Sequence, residues 1–142
     1  MNIDLPKYTI SNAAQLVGIS VHTLRMYERQ GLIIPYKKKS NQRLYSENDL
    51  HRIKCIRQTI NEQKITIEGI RRFLSLIPCW GIKKCSNTER ENCEAYATST
   101  KPCWLHKHRN NICEINNCRE CEVYNEIVDC NSIKEKLNFL ID

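Results

Sequence analysis

Ser20-Val21-His22-Thr23-Leu24-Arg25-Met26-Tyr27-Glu28-Arg29-Gln30-Gly31-Leu32-Ile33 opens on a residue suited to cap a helix. It reaches a glycine suited to end one after Gln30. The stretch therefore predicts a helix over Val21–Gln30, capped by Ser20 and closed by Gly31. Immediately upstream, Ile10, Ala13, Ala14 and Val17 recur at i, i+3, i+4 and i+7, the spacing of one helix face. Ser11 is the expected N-cap of that earlier helix and Gly18 its C′ residue. Two short helices joined by the tight Gly18-Ile19-Ser20 turn make a helix-turn-helix pattern.

Downstream, Leu32 to Tyr36 and Gln42 to Tyr45 read as short strands around the polar turn Lys37-Lys38-Lys39-Ser40-Asn41. This predicts a small β-hairpin whose tip carries three consecutive cations. Ser46-Glu47-Asn48-Asp49 has the form of a capping box, with acids in the first turn of a third helix. Leu50, Ile53, Ile56 and Ile60 supply its inner face. Thr66 opens a fourth helix, with Ile67, Ile70, Leu74 and Ile77 inward, and Pro78 stops it. Helix-turn-helix, basic hairpin and two helices together form a winged helix.

These residues carry a family resemblance. Thr23-Leu24-Arg25-x-Tyr27-Glu28-x-x-Gly31-Leu32-Ile33 and Arg43-x-Tyr45-Ser46-x-x-Asp49-Leu50 resemble the mercury-resistance-regulator (MerR) family. Ile70-Arg71-Arg72-Phe73-Leu74 is similar to its heat-shock-repressor branch. The resemblance covers roughly residues 7–77. It implies transcription control by a homodimer on a near-palindromic double-stranded DNA operator or promoter, with RNA polymerase as a further contact. Carried over by position, it implies His22, Thr23 and Arg25 facing the major groove, with Tyr27 and Arg43 on phosphates. Lys37, Lys38, Lys39 and Tyr45 complete the expected DNA-binding set. Two departures stand out: His22 occupies a position where many relatives have Arg, and Asn41-Gln42 replaces a common Gly-Tyr pair in the wing.

Charge divides the chain in the same place. The 142 residues carry a net +6, but residues 1–77 hold 13 basic and 6 acidic side chains against 9 and 10 in residues 78–142. The positive charge thus belongs to the winged-helix half, as phosphate binding requires. Lys37–Lys39 taken alone would more often be a solvated loop, and Tyr27 alone a core residue. The ordered motifs decide for DNA. Cys55, among Ile53 and Ile56, reads as a small buried hydrophobe. No apolar run of about 18 residues predicts a membrane span. Met1 to Pro6 lacks the basic and apolar regions of a secretory leader, so a cytoplasmic protein is expected.

The second half holds eight of the nine cysteines: Cys79, Cys85, Cys93, Cys103, Cys113, Cys118, Cys121 and Cys130. Its apolar content is too thin to make a core unaided, so a staple is needed. A cytosolic compartment disfavours structural disulfides and leaves thiolate-bound metal. The pairs Cys79-Trp80 and Pro102-Cys103-Trp104, with Cys118-Arg119-Glu120-Cys121, resemble the two-CW cysteine-rich module. Its dispersed thiols suit an iron–sulfur cluster, [4Fe–4S] by cysteine count, with zinc the alternative. Cys103, Cys113, Cys118 and Cys121 form the densest group; Cys79, Cys85 and Cys93 follow, and Cys130 lies outside the resembled module. His106 and His108, beside Lys107 and Arg109, read as a solvated basic strip rather than zinc ligands. Ile133, Leu137, Leu140 and Ile141 mark a last amphipathic helix, which must pack on its own core or on a dimer partner.

The expected fold is mainly α: a winged helix-turn-helix over 1–77, a metal-stapled cysteine-rich module over 78–130 and a C-terminal helix over 131–142. The expected function is a DNA-binding regulator, not an enzyme, that responds to redox state or metal through the cysteine module. The alternatives are a structural zinc module that docks a partner, or a thiol/disulfide switch. A cysteine-dependent enzyme lacks support, because no His/Asp constellation or Gly-rich phosphate loop accompanies any cysteine.

Overall fold

A computed structural model describes residues 4–77, 79–83, 85–98, 100–106, 113 and 117–125. They fall into two compact units, the first ending at Ile65 and the second beginning at Thr66. Cys130, His108 and the expected helix over 131–142 lie outside the described residues.

The first unit contains β1 (Tyr8–Thr9), α1 (Ile10–Val17), α2 (Val21–Arg29), β2 (Tyr36–Lys37), β3 (Arg43–Tyr45) and α3 (Glu47–Asn61). Local chemistry accounts for most of these boundaries. Ser20 accepts the Thr23 backbone N–H at 3.0 Å and starts α2 where the sequence predicts. Ser46 and Asp49 close a reciprocal capping box at the start of α3, at 2.8 and 3.1 Å. Gly18 ends α1 in the left-handed region at φ 82° and donates to the Ala14 and Gln15 carbonyls. Gly31 follows α2 at φ 79°.

The start of α1 differs from expectation. Thr9, not Ser11, is its N-cap, accepting from Asn12 N at 3.3 Å. Sheet pairing is the reason. Tyr8 and Thr9 form an edge strand antiparallel to β3, with Tyr8 opposite Tyr45 and Thr9 opposite Leu44. That register holds Thr9 extended, so the helix begins at Ile10. The expected two-stranded wing is thus part of a three-stranded sheet ordered β1-β3-β2. Leu32 and Ile33, expected in a strand, are instead buried connection between α2 and β2.

The core of this unit comprises Ala13 and Ala14 of α1, Leu24 and Tyr27 of α2, Leu32, Ile33, Tyr45, and Leu50, Ile53 and Ile56 of α3. Two alanines on α1 let its neighbours approach closely. Complete burial of a Leu or Ile contributes roughly 1.5–3 kcal/mol, so the few large side chains dominate. Cys55 departs from its expected role as a buried hydrophobe: it is half-buried and disulfide-bonded.

The second unit contains α4 (Ile67–Ser75), α5 (Cys79–Ile82), α6 (Asn87–Glu91), α7 (Glu94–Ala97), single 3₁₀ turns at Cys103–Leu105 and Cys118–Glu120, and α8 (Glu122–Asn125). Thr66 caps α4 as expected, accepting from Gly69 N at 3.1 Å. Yet α4, read as the last element of the winged helix, groups with this unit. α5 lies against α8, and the 118–120 turn leads directly into α8. The described buried residues are Ile70, Leu74, Ile77, Ala95, Pro102, Val123 and Tyr124. Among the described residues no helix is long and apolar enough to cross a membrane.

The wing turn rests on Asn41. Lys38 N donates to the Gln42 carbonyl at 2.9 Å and Asn41 N to the Lys38 carbonyl at 2.8 Å, with Asn41 at φ 67°. Asparagine tolerates this left-handed conformation and so replaces glycine. Asn41→Val is expected to cost about 1–2 kcal/mol and Asn41→Gly only a few tenths, measured by urea unfolding. Equal stability of the valine variant would contradict this account of the turn.

Candidate nucleic-acid interface and thiol cluster

α2 buries Leu24 and Tyr27, three residues apart, and this fixes which side it shows to solvent. His22, Arg25 and Arg29 are exposed. Thr23 is half-buried; besides its backbone bond, its hydroxyl lies 2.8 Å from the Ser20 hydroxyl. Lys37, Lys38 and Lys39 are exposed on the wing. Six solvent-facing side chains of basic type therefore lie along α2 and the wing of one unit.

Three members of the expected DNA-contact set are placed differently. Tyr27 is 1% exposed, and its hydroxyl accepts from Arg57 Nη1 at 3.3 Å. It is a core residue whose polar end is met by α3. Tyr45 is wholly buried, and burial pushes its hydroxyl well above the ordinary phenol pKa. Neither presents a surface for a phosphate in this arrangement. The motif supplies their positions but does not say that the apolar faces of α2 and β3 converge on them.

Arg43, the third, is engaged within the unit. Its Nε and Nη2 both donate to Glu28 on α2, the second at 3.2 Å. These hydrogen bonds raise the pKa of an already charged guanidinium. Lys37 Nζ stands 3.4 Å from the same carboxylate. Lys37 and Arg43 are directly opposite across β2 and β3. Two cations so paired destabilise a sheet unless an anion meets them, and Glu28 meets both. The motif contains Glu28, but its position there does not say that it meets two cations of the wing.

In the second unit the seven described cysteines are half-buried and carry thiols rather than disulfides. Five act on one another. Cys103 hydrogen-bonds Cys79, and this contact, then burial, then the nearby sulfurs of Cys79, Cys118 and Cys121 hold it strongly protonated. Burial first, then Cys121 and Cys79, push the Cys113 thiol up to about 11. Burial and Cys121 raise Cys118 likewise, while Lys83 opposes both shifts. Cys79, Cys103, Cys113, Cys118 and Cys121 thus share one neighbourhood. Trp104 meets Tyr124 edge-on beside it, with ring centroids 5.2 Å apart.

Cys85 and Cys93 are half-buried, and Cys93 stands at the N-cap of α7. Among the described residues no group of three or more Cys, His, Asp or Glu side chains is placed to hold a metal ion. The five sulfurs feel one another's charge without forming a ligand cage. The expectation of a solvated strip does not hold at His106. Its side chain is 3% exposed, with Nδ1 3.7 Å from Glu94 Oε2 and Nε2 3.4 Å from Thr98 Oγ1, and burial lowers its pKa.

Comparison with known proteins bears on the first half. Residues 8–77 match the MerR HTH family regulatory protein model. HspR of Streptomyces coelicolor, named as a heat shock protein, is 38% identical over 73 residues, covering 51% of this chain and 48% of that protein. The uncharacterised HTH-type transcriptional regulator YyaN of Bacillus subtilis is 38% identical over 68 residues, covering 47% and 49%. The chain spans about half the length of these curated relatives. Among solved structures, HiNmlR, a MerR family regulator lacking the sensor domain and bound to promoter DNA, is 30% identical. It covers 46% of this chain and 50% of its own, with a TM-score of 0.41.

Burial of Tyr27 makes a distinguishing prediction. Tyr27→Phe removes the acceptor for Arg57 and should cost about 1 kcal/mol in urea unfolding. It should leave duplex affinity at a fixed salt concentration unchanged, whereas loss of a phosphate hydrogen bond would weaken binding about tenfold.

Proposed function

Residues 8–77 of this chain are a MerR-family helix-turn-helix domain, and from that premise we propose that the protein is a DNA-binding transcription regulator whose cysteine-rich part senses redox state or metal. The exposed side chains of α2 and the wing carry the first half of this reading. His22 and Arg25 project from the early turns of α2, the part of a recognition helix that meets base edges. Thr23 supports them through the Ser20 cap. Lys38 and Lys39 at the wing tip are suited to phosphates. A homodimer would place two such units on a near-palindromic operator or promoter, with RNA polymerase as a further contact.

The gathering of Cys79, Cys103, Cys113, Cys118 and Cys121 carries the second half. Burial and mutual repulsion hold these groups as neutral thiols, and a bound cationic metal would favour their thiolate forms instead. Their soft sulfur chemistry fits an iron–sulfur cluster, for which four thiolates suffice. A cluster held there would supply a reversible one-electron change in charge. The thiolates would hold it, and Trp104 on Tyr124 would limit water access and so influence its potential. Cys118 and Cys121 supply the paired spacing, and Cys103 and Cys79 come from separate elements, so ligation would tie α5, the 103–105 turn and the 118–120 turn together.

The test is anaerobic purification of the full chain, with iron, sulfide and zinc counted per chain and duplex binding measured in oxidised and reduced protein. Iron with matching sulfide is expected, and Cys103→Ser or Cys121→Ser should lower both. Zinc without iron would overturn the cluster in favour of a structural metal. A metal-free protein with a Cys79–Cys103 disulfide on oxidation would replace it with a thiol switch. Duplex affinity that does not fall between low and physiological salt would overturn the DNA reading itself.

A further inference from the structure

We infer that Glu28 is a positioning residue that fastens the wing to the recognition helix and withdraws Arg43 from phosphate contact, with exposed Lys37 as its second partner. The inference rests on the DNA-binding reading and deepens it, dividing the wing cations into two kinds. Lys37 and Arg43 occupy opposing positions on β2 and β3. Both reach Glu28, Arg43 through two guanidinium nitrogens and Lys37 at 3.4 Å. The carboxylate side chain is 17% exposed and Arg43's is 30% exposed, so water screens this contact less than a fully exposed pair.

Geometry explains why this arrangement has a function. A guanidinium fork bound to a carboxylate fixes orientation as well as charge, which an ammonium does not do. Glu28 lies on α2, one residue after buried Tyr27, and Arg43 lies two residues before buried Tyr45. The ion pair therefore sits beside the two largest core side chains of the unit, where movement of the wing would disturb packing. Recognition helix and wing consequently present their contacts at one fixed spacing. For Arg43 to bind a phosphate it would first have to leave Glu28, stranding a part-buried carboxylate near polyanionic DNA. Lys38 and Lys39 reach solvent beyond the pair and face no such competition.

The two kinds of cation are separable by salt. The full-length chain is titrated with a 30-base-pair duplex, obtained by selection from a randomised pool, across a range of salt concentrations. Lys38→Gln and Lys39→Gln should each lower the slope of log affinity against log salt by about 0.9, as loss of one phosphate contact does. Arg43→Gln should leave that slope at the wild-type value while weakening binding to the selected duplex about tenfold. Arg43→Lys, which keeps the charge but loses the fork, should show the same weakening on the selected duplex at an unchanged slope if the glutamine variant does not fold. Glu28→Gln should steepen the slope, because Arg43 is released, and reduce discrimination between selected and scrambled duplex.

A drop in slope for Arg43→Gln equal to that of Lys38→Gln would overturn the proposal, making Arg43 a phosphate contact. An unchanged slope in Glu28→Gln would also overturn it. A double-mutant cycle between Glu28→Gln and Arg43→Gln, read in urea without DNA, should show coupling, and additive effects would remove the latch. Absence of salt-dependent binding by the wild-type chain would instead remove the DNA-binding reading, and the proposal with it.

Discussion

A helix of nine residues such as α2 cannot sustain itself in water, and the first unit is arranged around that constraint. Its beginning is fixed by Ser20 and its buried side by Leu24 and Tyr27. Tyr27 carries the larger share, since its ring fills the core while Arg57 on α3 donates to its hydroxyl. Moving that ring to the surface would free one phenol for a phosphate and leave α2 without its principal anchor. Burial of the aromatic is therefore what allows His22 and Arg25 to be held outward. The exposed side chains of α2 depend on a residue that is itself buried.

The same reasoning extends to the wing. A two-residue strand against a three-residue strand is too small to be stable alone, and its register places two cations face to face. Three features offset this: the Asn41 turn, the added strand at Tyr8–Thr9, and the Glu28 carboxylate. Each ties the hairpin to something outside it. The second unit solves the equivalent shortage differently. Among the described residues its helices after α4 are four or five residues long, and its apolar core is sparse. Sulfur is its abundant resource, so a metal-bound thiolate centre would supply the cohesion that apolar burial cannot.

What the sequence revealed follows a physical division. Ser20, Gly18, Ser46 and Thr66 were legible because caps and left-handed closures depend on residues within one turn. The pairing of Tyr8–Thr9 with β3 was not legible, since two residues carry no periodicity and their partner lies more than thirty positions away. That omission moved the α1 cap from Ser11 to Thr9. Tyr27 and Tyr45 were visible as motif members, but a motif does not distinguish a ring that touches a ligand from one that holds the contact face in place. His106 was misjudged from its basic neighbours, whereas the fold turns it beneath Glu94 and Thr98.

The cysteines show the limit most sharply. Spacing selected Cys103, Cys113, Cys118 and Cys121 as a group, and the fold brings these together with Cys79, which sequence distance had separated from them. Sequence counts thiols, whereas only folding decides which of them share an electrostatic neighbourhood. The contrast with Glu28 is instructive. There too the decisive relation joins residues from separate elements, and it changes the meaning of a recognised motif. A motif arginine that appears available for phosphate is held by an acid fifteen residues earlier. Charge totals therefore overstate the cations a wing can offer to DNA, and the effective number is set by the ion pairs the fold has already made.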